Sequence, residues 1–182
     1  MKTIVVKELM VPLKDYATVS REATLHEAVL ALEKSQMALD PSRYKHRAIL
    51  VLNENGKVLS KITMKSILAV LEPNFGNVEG AGVLERSGHS QDLIKSMLED
   101  NALWAKSLHF VNERAAKLKV GDFIRPPSAD EYIDENVTLG EANHQFIVQP
   151  HHSLLVTRDD EVVGILRLSD VFAKICNIIR DS

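Results

Sequence analysis

Thr24-Leu25-His26-Glu27-Ala28 returns at position 138 as Thr138-Leu139-Gly140-Glu141-Ala142, an offset of 114 residues with four of five positions identical. The same offset carries Val6 to Val120, Glu8 to Asp122, Pro12 to Pro126 and Val19 to Ile133. Similarity that stays in register over the whole approach to the matched segment marks a duplicated unit. Each copy has a Thr followed three residues later by a Glu, the arrangement in which both side chains satisfy exposed N–H groups at a helix start. Each copy is therefore expected to open a helix there, and Leu25, Ala28, Val29 and Leu32 supply the apolar stripe of the first.

Downstream, Arg47 to Leu52, the turn residues Asn53-Glu54-Asn55-Gly56, and Lys57 to Thr63 read as strand, tight turn, strand. The second copy repeats this with Ser153 to Thr157, a turn at Arg158-Asp159-Asp160, and Glu161 to Leu166. Each hairpin leads into a further helix, Met64 to Leu71 and Leu168 to Ile179, the latter with Val171, Ile175, Ile178 and Ile179 as its expected buried stripe. Here the offset is 104, Ser66 matching Asp170. About ten extra residues around Met37 to Lys45, including the turn signal Asp40-Pro41-Ser42, explain the change, because loops absorb length differences that helices and strands do not.

We divide the chain into a first copy over 1–71, a connector over 72–119 and a second copy over 120–182. The connector begins with a Gly-containing loop over 73–90. It continues over 91–118 with Leu93, Ile94, Met97, Leu98, Leu103, Trp104, Leu108, Val111 and Leu118 at mostly helical spacing. Such a stripe is core or dimer seam more often than ligand pocket.

With 182 residues and 45% hydrophobic content the chain can bury a real core. A formal charge of −3 gives no global attraction to nucleic acid, and none is expected as a partner. Cys176 is the only cysteine, so an intrachain disulfide is excluded and a reducing, cytoplasmic setting is expected. The N-terminus lacks the pattern of a secretory signal, and no apolar run approaches the roughly 20 residues needed to span a bilayer. His151-His152 are neighbours that a strand points to opposite faces, and no metal site is expected. No nucleophile elbow, spaced metal motif or paired-carboxylate setting suggests an enzyme.

The order short strand, helix, strand, strand, helix, present twice, resembles the cystathionine-β-synthase (CBS) domain. The residues that carry the likeness are Val6 to Pro12, the Thr24 helix start and Ile62-Thr63 in the first copy. In the second they are Val120 to Ile124, the Thr138 start and Gly164-Ile165-Leu166 with Asp170-Val171. The resemblance implies an α/β (α+β) fold of two β-α-β-β-α repeats packed as a pseudo-two-fold disc with a helical insertion. It also implies a Bateman-type regulatory module with an adenine nucleotide (AMP, ADP or ATP) as ligand, no required cofactor, a homodimeric state and an unidentified protein target.

In the family pattern a hydroxyl residue lies near ribose or phosphate, an Asp three residues later binds the ribose diol, and the backbone of the hairpin's first strand meets the base. A carboxylate suits a diol because it accepts two hydrogen bonds. The resemblance points to Thr63, Ser66, Val19 and Arg47 around the first copy, and to Asp170, Arg167, Ile133, His152 and Ser153 around the second. Neither copy holds the full pair: Ser66 replaces the Asp in the first, and Arg167 replaces the hydroxyl in the second. The second site is therefore the favoured one. Competing roles are a cap for Thr63, a dipole partner for Asp170 and an acid's partner for Arg167. The basic run Arg43-Tyr44-Lys45-His46-Arg47 is expected to be a solvated loop. The alternative function is a dimeric interaction scaffold whose ligand sites have degenerated.

Overall fold

The structure, a computed structural model, describes residues 3–39, 44–71 and 108–181. Its elements are β1 (Val11–Pro12), β2 (Thr18–Ser20), α1 (Leu25–Met37), β3 (Ala48–Leu52), β4 (Val58–Thr63) and α2 (Met64–Leu71). After these come α3 (Leu108–Lys117), β5 (Tyr132–Asp134), α4 (Leu139–Val148), β6 (Ser153–Arg158), β7 (Glu161–Arg167) and α5 (Leu168–Arg180). Both repeat signatures are capping boxes. The Thr24 hydroxyl accepts from the Glu27 N–H at 3.2 Å while the Glu27 carboxylate accepts from the Thr24 N–H at 2.7 Å. Thr138 and Glu141 do the same at 3.3 and 3.0 Å.

The hairpins also close as the sequence requires. Gly56 takes φ +76°, and Asp159 and Asp160 take φ 48° and 62°, the left-handed region that Gly and Asp tolerate. Within each copy the short leading strand runs parallel to the hairpin's first strand, β2 on β3 and β5 on β6. Matching register shifts fall at Val51/Leu52 and Val156/Thr157, so even the irregularities of the two sheets repeat.

The copies exchange their leading segments. Strand β1 joins the second copy's sheet, antiparallel to β7, with Pro12 opposite Gly164; the sheet order is β1-β7-β6-β5, against β2-β3-β4 in the first copy. A side chain at Gly164 would place its Cβ 2.6 Å from the Val11 carbonyl oxygen, so the close approach of β1 requires glycine there. Upstream, the Val6 N–H donates to the Val137 carbonyl and the Leu139 N–H to that of Ile4, both at 2.9 Å. In return, the Val120 N–H donates to the Ala23 carbonyl and the Leu25 N–H to that of Leu118, both at 2.8 Å.

Burial follows this exchange. Val6 packs in the second copy's core with Ile133, Phe146, Leu154 and Leu166, and Val120 packs in the first copy's core with Leu32, Ile49 and Ile62. A third apolar cluster, Val11, Tyr16, Ala48, Leu50, Leu155 and Ile165, joins the two sheets. The expected stripe of the last helix is corrected at one position: Val171 is buried, but Ile179, eight residues on and so turned about 80° from the Val171 face, is 70% exposed. Helix α3 falls within the expected helical stretch 91–118, whose remainder up to 107 lies outside the described residues, as do the turn 40–42 and the Gly-containing loop. Among the described residues no helix is long and apolar enough to cross a membrane.

Candidate functional site

Strand alternation decides which residues reach the seam between the copies. On the first sheet Leu50 lies opposite Lys61 and Ala48 opposite Thr63; on the second, Leu155 lies opposite Ile165 and Ser153 opposite Arg167. Since Ala48, Leu50, Leu155 and Ile165 all belong to the joining cluster, Lys61, Thr63 and Arg167 stand on the same inward faces. Each hairpin thus carries polar groups into the seam just before its second helix.

Arg167 ends β7, with only 4% of its side chain exposed. Its Nε and Nη2 donate to the two carboxylate oxygens of Asp170, each at 2.5 Å, a bidentate pair made possible by the i, i+3 spacing across the strand–helix junction. Its Nη1 crosses to the first copy, donating to the Tyr44 carbonyl at 2.7 Å and to His46 Nδ1 at 3.2 Å. A guanidinium has no acceptor, so Nδ1 must accept and carries no proton. The His46 ring packs on Tyr16 with centroids 4.2 Å apart and planes tilted by 60°. Burial pushes the Tyr16 phenol up to about 12 although the Arg167 charge opposes it, so the hydroxyl stays protonated at neutral pH.

The opposite junction is built differently. The Ser66 N–H donates to the Thr63 hydroxyl at 3.1 Å, and the two hydroxyl oxygens lie 2.9 Å apart. Lys61, two residues earlier on β4, crosses to the second copy, where its Nζ lies 2.6 Å from the Ser153 carbonyl and 3.1 Å from a Glu131 carboxylate oxygen. Both side chains are buried, at 4% and 5% exposure. Glu131 also accepts from Arg125 Nη1 at 2.9 Å and from the Ser128 N–H at 3.2 Å. Burial pushes its carboxyl up, but the Lys61 and Arg125 charges and the Ser128 hydrogen bond outweigh it and hold the group below the usual range. The same burial pulls Lys61 below the usual lysine range, against the pull of Glu131. Nearby, His151 Nε2 lies 2.9 Å from Asp130 Oδ2. Hydrogen bonds from Ser128 and His151 hold Asp130 at about 2.

The two junctions are assembled across the copies. Arg167 and Asp170 meet each other, and Arg167 also meets Tyr44 and His46 of the first copy. The Ser153 carbonyl belongs to Lys61. His152 and Arg47 have matching backbone roles, their carbonyls accepting from the first N–H of α5 and of α2. The side chains of Ile133 and Val19 pack into the cores of their own copies. Thr63 caps α2 through Ser66. The solvated-loop expectation for the basic run is corrected at His46, which is buried under Tyr16 and Arg167, while Tyr44, Lys45 and Arg47 are exposed and Arg43 lies outside the described residues. Sequence reading missed Tyr16, Lys61 and Glu131. Lys61 is visible as a charge at an inward position of an apolar strand, and Ser128 with Glu131 is a further capping box.

Two α+β repeats that trade their leading segments and set polar groups into a common seam define a paired-repeat module. The family model for the CBS domain matches residues 6–73 and 120–177, and the chain belongs to that family, with two copies. Among solved structures, the CBS-pair protein CBSX2 from Arabidopsis thaliana is similar at 14% identity and a TM-score of 0.61, covering 100% of both chains. CBSX2 in complex with AMP is similar at 16% identity and a TM-score of 0.59, covering 96% of this chain and 98% of that one. The CBS domain of the bacterial CNNM/CorC family Mg2+ transporter in complex with ATP is similar at 15% identity and a TM-score of 0.56, covering 95% and 87%. Comparison with curated proteins gives no match.

Proposed function

We propose that the chain is a regulatory module, not a catalyst, that binds an adenosyl ligand (AMP, ADP or ATP) in the cleft around Arg167 and Asp170 and signals by conformational change. The observation that carries this reading is the pair formed by buried Arg167 and partly buried Asp170 at the interrepeat seam, with one guanidinium nitrogen on the first copy's Tyr44 carbonyl. Asp170 stands at the family's ribose position, and a diol satisfies its two oxygens as the guanidinium now does. Arg167, released, has the planar fork suited to a phosphate. Ligand binding therefore rewires a side chain that ties the second copy to the first, which is the differential contact a population shift needs. The AMP and ATP named with two similar structures support the ligand class.

The signal passes to a protein target through a homodimer. Leu68 on α2 and Phe172 on α5 hold matching positions and are 62% and 59% exposed, which suits a face covered by a second copy. A thermal-shift titration with AMP, ADP and ATP tests ligand binding, with a rising midpoint expected for at least one of them and a flat response to all at millimolar concentration overturning it.

One observation favours the interaction scaffold as second reading: each junction already satisfies its charges internally, Arg167 by Asp170 and Lys61 by Glu131. In that case assembly persists and nucleotides have no effect.

A further inference from the structure

Resting on the reading that nucleotide enters beside Asp170, we infer that Arg167 sets the ligand class of this cleft: it bars a ribose diol that arrives without a phosphate, so a nucleotide enters and the bare nucleoside does not. Diol and guanidinium compete for the same two atoms. Arg167 Nε and Nη2 donate to Asp170 Oδ2 and Oδ1, so both carboxylate oxygens hold a charged donor before any ligand arrives. Hydroxyls are neutral donors, and a diol alone exchanges a pair charged on both sides for one charged on a single side. A hydroxyl residue at this position, as Thr63 is in the first copy, would leave the carboxylate open to either ligand.

The displaced guanidinium then lacks a counter-charge. Its side chain is 4% exposed, and among the described residues its ion-pair partner is Asp170. Leaving a buried cation without its carboxylate is strongly unfavourable. The other groups on it are neutral acceptors: Nη1 donates to the Tyr44 carbonyl at 2.7 Å and to His46 Nδ1 at 3.2 Å. Tyr16, packed on His46, supplies no anion either, since burial raises its phenol to about 12. A phosphate removes the difficulty, because the planar fork accepts its oxygens in the same bidentate geometry as a carboxylate. A ribose that carries both groups delivers hydroxyls to Asp170 and an anion to Arg167 together. A nucleoside delivers only the first.

Equilibrium dialysis of labelled AMP and labelled adenosine against wild type, Arg167→Thr and Arg167→Met decides this. Wild type should bind AMP at least about tenfold more tightly than adenosine, and both variants should bind adenosine at least about tenfold more tightly than wild type does. The gap thus closes from the adenosine side. Arg167→Met keeps a long buried stem without the charge, so the test survives if the shorter threonine side chain unsettles the fold. Equal affinity of wild type for the two ligands overturns the inference. So does adenosine binding that neither variant improves, which would reduce Arg167 to an ordinary phosphate contact. Wild type that binds neither ligand while a variant binds adenosine refutes the nucleotide reading and upholds the bar at Asp170. If wild type and both variants bind neither, both fall.

Discussion

Arg167 stands where the family pattern has a hydroxyl, and that exchange decides the chemistry of its junction. A hydroxyl leaves the neighbouring carboxylate open, whereas Arg167 occupies both oxygens of Asp170 and reaches across to Tyr44. The substitution was legible in the sequence as a departure, but its partner in the other copy was not, because Tyr44 and Arg167 are 123 residues apart. At the other junction Glu131→Gln leaves the Lys61 ammonium buried without its carboxylate. We expect a loss of about 3–5 kcal/mol in urea unfolding, with Lys61→Met combined with Glu131→Leu recovering most of it. A second titration belongs to Asp130, whose carboxyl falls from 3.8 to about 2 on folding. A depressed folded-state value stabilises the protein above the unfolded value, and that contribution is lost as pH falls from about 4 to 2. Urea midpoints across this window should fall more steeply for wild type than for Asp130→Asn; parallel curves would contradict the assignment.

At the scale of elements, what the sequence disclosed was local. The capping boxes at Thr24 and Thr138, the turns at Gly56 and Asp159-Asp160, and the start of α2 at Met64 are each set by neighbours within a few residues. Thr24→Ala and Thr138→Ala should each cost about 1 kcal/mol, and about twice that together, since they cap helices in different copies. Chemical denaturation of the two single variants and the double checks this. The placement of β1 was illegible because nothing in Val11-Pro12 names β7 as its partner; only Gly164, a glycine inside a strand, hinted at a close backbone approach. Gly164→Ala should therefore lower stability by about 1–3 kcal/mol through its clash with the Val11 carbonyl. A change below about 0.5 kcal/mol, the usual range of a surface substitution, would mean that β1 does not pack there.

For the whole molecule, the exchanged leading segments make the two copies one folding unit, since each core needs an apolar residue from the other copy's approach segment, Val6 in one and Val120 in the other. Two buried cations cross the seam in opposite directions among the described residues, Arg167 to the first copy and Lys61 to the second. We assign the first to a ligand-responsive tie and the second to a fixed one. Isothermal titration calorimetry of AMP, ADP and ATP into wild type and Asp170→Ala tests that assignment most directly. Saturable binding of at least one nucleotide by wild type, weakened at least about tenfold by the loss of a charged hydrogen-bond acceptor, is the predicted result. Absence of heat for all three, or equal affinity in the variant, would contradict it.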